Sequence, residues 1–496
     1  MISPSIEPFN EAKYKALMDG LECSEIMLSQ TRQYEPFRID SHFYEKQYQK
    51  LKLVLSRIPC FSLKELVIKS IQTGHTPSMA VNSYYGGSIA LIKTDNLHDN
   101  SISTTFSDYL TEKGNSIISR TELADKDIVT TIIGATERII ARSAIVTKEL
   151  LPANINQNIV QIRIDHEKVA PEYVNTYLNT KFGKGYLIYL SRQTEQFNLN
   201  CKEIETVLIP ILSGKFQKEV VSAVVKAQEY QTKARLQYEK VENDLATSLN
   251  AQIQTQNQPV LSVKHISESF AVSGRLDAEY YQPKYDSLFD ALSKFKTQKL
   301  GGAHGLVSIA KSIEPGSEAY VEDGIPFIRV SDVSKFEVSE PEIRLRSDIL
   351  PNPEVLFPQK DTILLSKDGS VGIAYKVEAT MSVITSGALL HLTVRDKSEV
   401  LPDYLTLVLN SPVVQLQAER DSNGAIIQHW KPSEIENVII PVLDMDVQKE
   451  IATKVQESFA LRKQSKQLLK YAKQAVEMAI EQGEDVALEW LKDKVN

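Results

Sequence analysis

Apolar and polar positions follow two periods along this chain, and the periods succeed one another in the same order twice. Ser88-Ile89-Ala90-Leu91-Ile92-Lys93-Thr94 and Ile325-Pro326-Phe327-Ile328-Arg329-Val330 are short apolar runs preceded by glycine and followed by a polar turn, which predicts strands. The runs 361–366 and 371–377 flank Lys367-Asp368-Gly369-Ser370. Asp-Gly supplies positive φ at little cost, so a hairpin is expected there, and a phosphate-cradling loop is the less economical reading. Tyrosine-rich helices are expected over 44–55 and 280–295, and a helix opened by proline over 402–410.

Each half then closes on a long stretch of helical period. From Phe216 to Asn250 there is neither proline nor glycine, and Val220, Ala223, Ala227, Tyr230, Ala234, Tyr238, Val241, Leu245 and Leu249 recur mostly at three- and four-residue steps. At 1.5 Å per residue about 35 residues span about 50 Å. The stretch 447–480 places Ile451, Val455, Phe459, Leu469, Ala472, Val476 and Ala479 similarly. A helix this long with one narrow apolar stripe needs a partner, and its twin is the obvious one. We therefore expect an antiparallel coiled-coil spacer paired through Val220, Ala227, Tyr230, Ala234, Val241, Leu245, Ile451, Val455, Phe459, Leu469, Ala472 and Val476. Two helices packed separately on their own domains remain the alternative.

The recurrence extends to residue identity. Arg38-Ile39-Asp40 with Phe43-Tyr44 returns as Arg275-Leu276-Asp277 with Tyr280-Tyr281. Pro171-Glu172-Tyr173 with Leu178-Asn179 returns as Pro402-Asp403-Tyr404 with Leu409-Asn410. Glu203-Ile204-Glu205 through Pro210 returns as Glu434-Ile435-Glu436 through Pro441, and Gln217-Lys218-Glu219 as Gln448-Lys449-Glu450. From Pro171 onward one offset of 231 residues carries every match. Solenoid repeats are far shorter, so this is a duplicated domain. The expected organisation is a lead segment (1–36), a first mixed α/β (α+β) domain (37–212), a long helix (213–250), a glutamine-rich linker (251–263), a second domain (264–444), a second long helix (445–481) and a C-terminal tail (482–496).

Composition narrows the chemistry. With 496 residues, 42% hydrophobic and 24% charged, the chain is long enough for several cores. No apolar run approaches the ~18–20 residues of a membrane helix, and Met1 to Asn10 lacks a signal-peptide pattern, so cytoplasmic location is expected. Cys23, Cys60 and Cys201 form no CxxC pair, and the eight histidines show no ligand spacing; neither disulfide nor metal is expected. A net charge of −8 argues mildly against a free-standing nucleic-acid binder, although Lys181, Lys184, Arg192 and Lys202 face only Glu195 across their stretch. Phosphate loop, dinucleotide fingerprint, nucleophile elbow and the Asn/Asp-Pro-Pro-Tyr/Phe motif of amino-methyltransferases are all missing, so no catalytic residue is expected.

The ordered motifs together resemble the specificity subunits of type I restriction-modification systems. They are the Arg-x-Asp lead-in, Thr76-Pro77-Ser78 with Tyr85-Gly86-Gly87, Ile328 to Asp332, Asp361 to Ser366, Pro402 to Ser411, and the Ile-Pro and Gln-Lys-Glu that open the long helix. The likeness covers nearly the whole chain in both copies. It implies two target recognition domains, each reading one half of a bipartite double-stranded DNA site, with the helices as a ruler. It also implies two DNA adenine methyltransferase subunits that bring S-adenosylmethionine, and motor-nuclease subunits for cleavage; the chain itself would hold no cofactor. Thr130-Thr131-Ile132-Ile133-Gly134-Ala135 departs from the usual Leu-Ser-x-x-Gly, so the two domains should read different letters.

Base-edge hydrogen bonds need Arg, Lys, Asn, Gln, Ser, Thr or His on loops. The candidates are Lys93, Asn96, Arg138, Arg142, Arg192 and Gln193 in the first domain, and Arg329, Ser331, Lys367, Arg420, Asn423, Gln428 and His429 in the second. A duplicated coiled-coil adaptor without DNA specificity, a nuclease whose site escapes sequence reading, and a type II system's domain pair are the competing readings. Magnesium-dependent cleavage by the chain alone would favour the nuclease; failure to shift duplex DNA or bind a methyltransferase would favour the adaptor.

Overall fold

Strand pairing takes the same order in both halves of the chain. A computed structural model describes residues 9–21, 24–32, 38–193, 195–249, 261–349, 351–422 and 428–495, and the chain divides into a first unit (1–229 with 464–496) and a second (230–463). In the first unit an antiparallel sheet runs Gln72–Thr73, Ile159–Ile162, Ile128–Thr131, Ser143–Ile145. In the second the order is Val307–Lys311, Leu389–Val394, Ile363–Ser366, Ala374–Lys376, again antiparallel throughout. A second sheet repeats too. Tyr85–Ile92 takes Ala153–Ile155 parallel on one side and Tyr109–Leu110 antiparallel on the other. Ile325–Ile328 likewise takes Ile384–Thr385 parallel and Arg344–Leu345 antiparallel.

The recurring sequence motifs are the bolts of this frame. Pro171 and Pro402 open buried helices, Pro171–Leu178 and Pro402–Asn410, where a missing N–H costs nothing. From them Tyr173 donates its hydroxyl to the Pro210 carbonyl at 2.8 Å, and Tyr404 does the same to Pro441 at 2.8 Å. Asn179 Nδ2 donates to Ser143 O (2.9 Å) and Asn410 Nδ2 to Ala374 O (2.8 Å), tying each helix to the first residue of a sheet strand. Arg38 clasps Asp40 and donates to the Leu190 carbonyl at the end of the helix Lys181–Leu190; Arg275 clasps Asp277 and donates to the Asp421 carbonyl. The Arg-x-Asp motif is therefore a clamp on a helix terminus.

Gly214–Ser248 and Met445–Gln482 are the two long helices, and each contributes one end to each unit. In the first unit Phe216, Val220, Ala223 and Val224 share a core with Ala472, Ala475, Val476 and Ala479. In the second, Tyr238, Val241 and Leu245 share one with Ile451 and Val455, against which Phe459 packs. Two serines cross-link these pairings. Ser465 Oγ donates to Ala227 O at 2.7 Å in the first unit, and Ser458 Oγ to Ala234 O at 2.7 Å in the second. The 231-residue offset takes Ala227 to Ser458 and Ala234 to Ser465, so this is one bond written twice. In both units the helix segments run antiparallel, as expected. Of the expected pairing residues only Tyr230, Phe459 and Leu469 are merely half-buried, and Leu468 is the more enclosed neighbour of Leu469.

The expected tail is a helix instead. Glu484–Val495 buries Ala487, Leu488 and Leu491 in the core of the first unit. Glu484 accepts from the backbone N–H of Ser213, just before the first long helix, at 3.0 Å. Its apolar positions at three- and four-residue steps needed that helix as a partner. Residues 251–260 of the expected linker 251–263, and Cys23, lie outside the described residues. No described helix is long and apolar enough to cross a membrane.

Candidate functional site

A hairpin juts from the main sheet of each unit, and its loop pairs with a segment that follows the domain's second helix. In the first unit the loop joins Ile128–Thr131 to Ser143–Ile145. Its Ile133–Gly134 pairs with Phe197–Asn198, which in turn pairs with Arg192–Gln193. A hydroxyl at the hairpin's base sets its shape: Thr131 Oγ1 donates to Ile139 O and accepts from the Arg142 N–H at 3.0 Å. In the second unit Ser366 Oγ donates to Ser370 O and accepts from Ile373 N–H at 2.8 Å. The first copy's Thr-Thr therefore keeps the hydroxyl that the departure from Leu-Ser-x-x-Gly put in doubt. Gly369 (φ +75°) and Gly372 (φ +86°) supply the left-handed residues of the shorter hairpin.

On the first hairpin Arg138 and Gln193 are exposed. Arg142 is half-buried, donating through Nε to Arg138 O (2.9 Å) and through Nη1 to Leu97 O (3.3 Å). Arg192 leans on Glu203 at 3.1 Å, with 41% of its side chain still accessible. Arg138 and Arg142 thus lie on the hairpin loop, and Arg192 and Gln193 on the strand two places across the ribbon that this loop joins. Lys93 and Asn96 serve the frame instead. Lys93 is ion-paired with Asp108, whose carboxyl that hydrogen bond holds below the ordinary range. Asn96 is buried, accepting from Lys93 N–H (2.9 Å) and donating to Thr105 O (2.9 Å), which holds its amide inside the loop.

On the second hairpin Lys367, Gln428 and His429 come together. Gly369 N–H donates to Gln428 O at 2.9 Å and Trp430 N–H to Lys367 O at 2.8 Å, while Asp368 bridges His429. The Trp430 ring is buried, which turns its neighbour His429 outward. Arg329 and Ser331 are exposed on the turn after Ile325–Ile328. Asp332 shapes that turn by accepting from Arg329 N–H at 2.8 Å, as Asn96 does at Lys93. Arg420 is engaged within its own unit. Its guanidinium lies 4.9 Å from the Tyr280 ring and 4.6 Å from Phe289, and it pairs with Asp421, so it cements the helix Pro412–Asp421 to the lead-in. Asn423 lies outside the described residues.

No family model matches the chain. It is 22% identical over 325 residues to the type I restriction enzyme EcoBI specificity subunit of Escherichia coli, which spans 62% of this chain and 63% of that protein. The chain is similar to this type I specificity subunit over less than two thirds of that protein's length. Among solved structures it is similar to the S subunit of a type I restriction-modification system from M. genitalium, with 12% identity, TM-score 0.35 and coverage of 88% of this chain and 96% of that one. It is also similar to the HsdS subunit from Thermoanaerobacter tengcongensis, with 16% identity, TM-score 0.29 and coverage of 86% and 97%.

Three residues of the edges and the seam escape a reading by residue type. Asp368 reads as a turn residue, yet it pairs with both Lys367 and His429. Ser458 and Ser465 read as polar interruptions of an apolar stripe, and their seven-residue spacing was the available signal. Among the described residues no group of His, Cys, Asp and Glu is arranged to hold a metal ion.

Proposed function

We propose that this chain is the DNA-specificity subunit of a type I restriction-modification complex, each unit reading one half of a bipartite duplex site. The observation that carries the reading is the pairing of one invariant frame with two chemically different hairpin edges. Reading two unlike half-sites asks for that division: a common scaffold, and two sets of base-edge donors and acceptors. Arg138, Arg142, Arg192 and Gln193 form the first edge. Gln428 and His429 form the second, and Arg329 and Ser331 are exposed on a separate turn of the same unit.

The chain supplies recognition and no chemistry. Two adenine methyltransferase subunits dock on the long helices and bring S-adenosylmethionine, and motor-nuclease subunits join them for cleavage. The helices set the gap between half-sites.

The test is methylation-sensitive sequencing of DNA from the source cell with and without this gene. The expected result is a bipartite adenine-methylated motif that disappears on deletion. An unchanged methylation pattern, together with a purified chain that captures no methyltransferase, would leave the adaptor reading in its place.

A further inference from the structure

The two hairpin edges differ at one structurally equivalent bridge. In the first unit Ile133 faces Asn198 across the ribbon; in the second Asp368 faces His429, and the 231-residue offset takes Asn198 to His429. The backbone bridge is retained while both side chains change class, from aliphatic and amide to carboxylate and imidazole.

The second pair is built, not incidental. Asp368 receives Lys367 Nζ on one carboxylate oxygen and His429 Nδ1 on the other, the latter at 2.8 Å. Lys367 is 13% exposed and Asp368 23%, whereas His429 keeps 60% of its side chain accessible. Partial burial works against ionisation of Asp368, yet the hydrogen bonds from Lys367 and His429 hold its carboxyl below the ordinary range. An ionised carboxylate only accepts, so His429 Nδ1 carries the hydrogen. With Nδ1 so engaged, the neutral form of the ring is the tautomer whose Nε2 is an acceptor. In the major groove an acceptor of this kind meets the N4 amino group of cytosine or the N6 amino group of adenine, and is repelled by the two acceptors of guanine.

We propose that His429, its tautomer fixed by Asp368, reads one base of the second half-site and selects a base bearing an exocyclic amino group. Asp368 is the positioning residue, and Lys367 is its counter-ion and not itself a reader. The inference rests on the function proposed above and names the atom by which the second edge discriminates.

Selection of a duplex library randomised across both half-sites, with the full chain in its native assembly, tests it. The wild type should show one second-half position restricted to cytosine or adenine. His429→Ala should flatten that position and weaken the best site by roughly ten-fold, the order of one lost base contact. Asp368→Ala frees the tautomer, so guanine should become acceptable at the same position; a merely structural role would weaken all second-half positions alike. The double variant Asp368→Ile/His429→Asn carries the pair that the same bridge already accommodates in the first unit. It guards against misfolding and should change that one letter while the first half-site stays as it was. Intact preferences in His429→Ala, with both half-sites still read, would overturn the inference alone. A wild-type assembly with no sequence preference would remove the proposed function, and this reading with it.

Discussion

Behind Ile133–Asn198 in the first unit and Asp368–His429 in the second, the same framework bonds recur at nearly the same lengths. Tyrosine to proline carbonyl is 2.8 Å in both, asparagine to strand carbonyl 2.9 and 2.8 Å, and seam serine to alanine carbonyl 2.7 Å in both. The duplicated bonds join helices to sheets and helices to each other; the divergent residues sit on hairpins, where exchange disturbs no core. Frame and edge have therefore been free to change separately. The frame is not wholly symmetric, however. The terminal helix helps enclose Phe216 in the first unit, whereas its offset equivalent Val447 in the second is 37% exposed.

The comparison can be broken most forcefully at Trp430, whose offset equivalent in the first unit is Leu199; both are buried. Trp430→Ala is expected to cost about 3–5 kcal/mol. Hydrogen exchange should show the loss confined to the second unit; equal loosening of the first would mean that the frames are not separable. Next come the clamps. Arg38→Ala removes hydrogen bonds from a charged group and is expected to cost about 1.5–3 kcal/mol. Arg275→Ala should cost less, because its side chain is 19% exposed against 3% for Arg38. Denaturant midpoints rank the two, and the reverse order would contradict the burial argument.

The seam sharpens the comparison on a smaller scale. Ser465→Ala and Ser458→Ala each delete one hydrogen bond, to a carbonyl that also belongs to a helix, and are expected to cost about 0.5–1.5 kcal/mol. Being one bond written twice, they should cost the same, which paired urea titrations would check. The smallest effect is acid-dependent. The hydrogen bond from Arg275 holds Asp277 below the ordinary carboxylate value, with partial burial opposing it. A depressed folded value contributes stability above the unfolded value of about 3.9, and that contribution fades as pH falls through the folded one. Asp277→Asn should therefore flatten the acid limb of the stability profile while leaving its slope above pH 6 unchanged.

Periodicity and repetition carried most of this architecture. The helix Pro402–Asn410 was legible to the residue because proline marks its start, and the long helices were legible within about two residues because nothing interrupts them. The terminal helix was not, since Ala487, Leu488 and Leu491 form a convincing stripe only once a partner core is known. The site was less legible than the fold. Residue type singled out Lys93, Asn96 and Arg420 as donors, but a donor's use depends on its nearest acceptor, and theirs are Asp108, the Thr105 carbonyl and Asp421, each in the donor's own unit. Repetition would have helped more than chemistry here. Positions where the copies agree, such as Tyr173 with Tyr404 or Asn179 with Asn410, are frame, and positions where aligned hairpins disagree are the places to seek a reader.

The most direct measurement is to duplicate one edge. A chain in which 275–444 is replaced by 38–213 keeps every repeated framework bond but carries two copies of the first hairpin. Sequencing the methylated sites it directs in cells should return two half-sites with the same letters. Retention of the original second half-site, or loss of all recognition by a chain whose two units are both folded, would contradict the division into one frame and two reading edges.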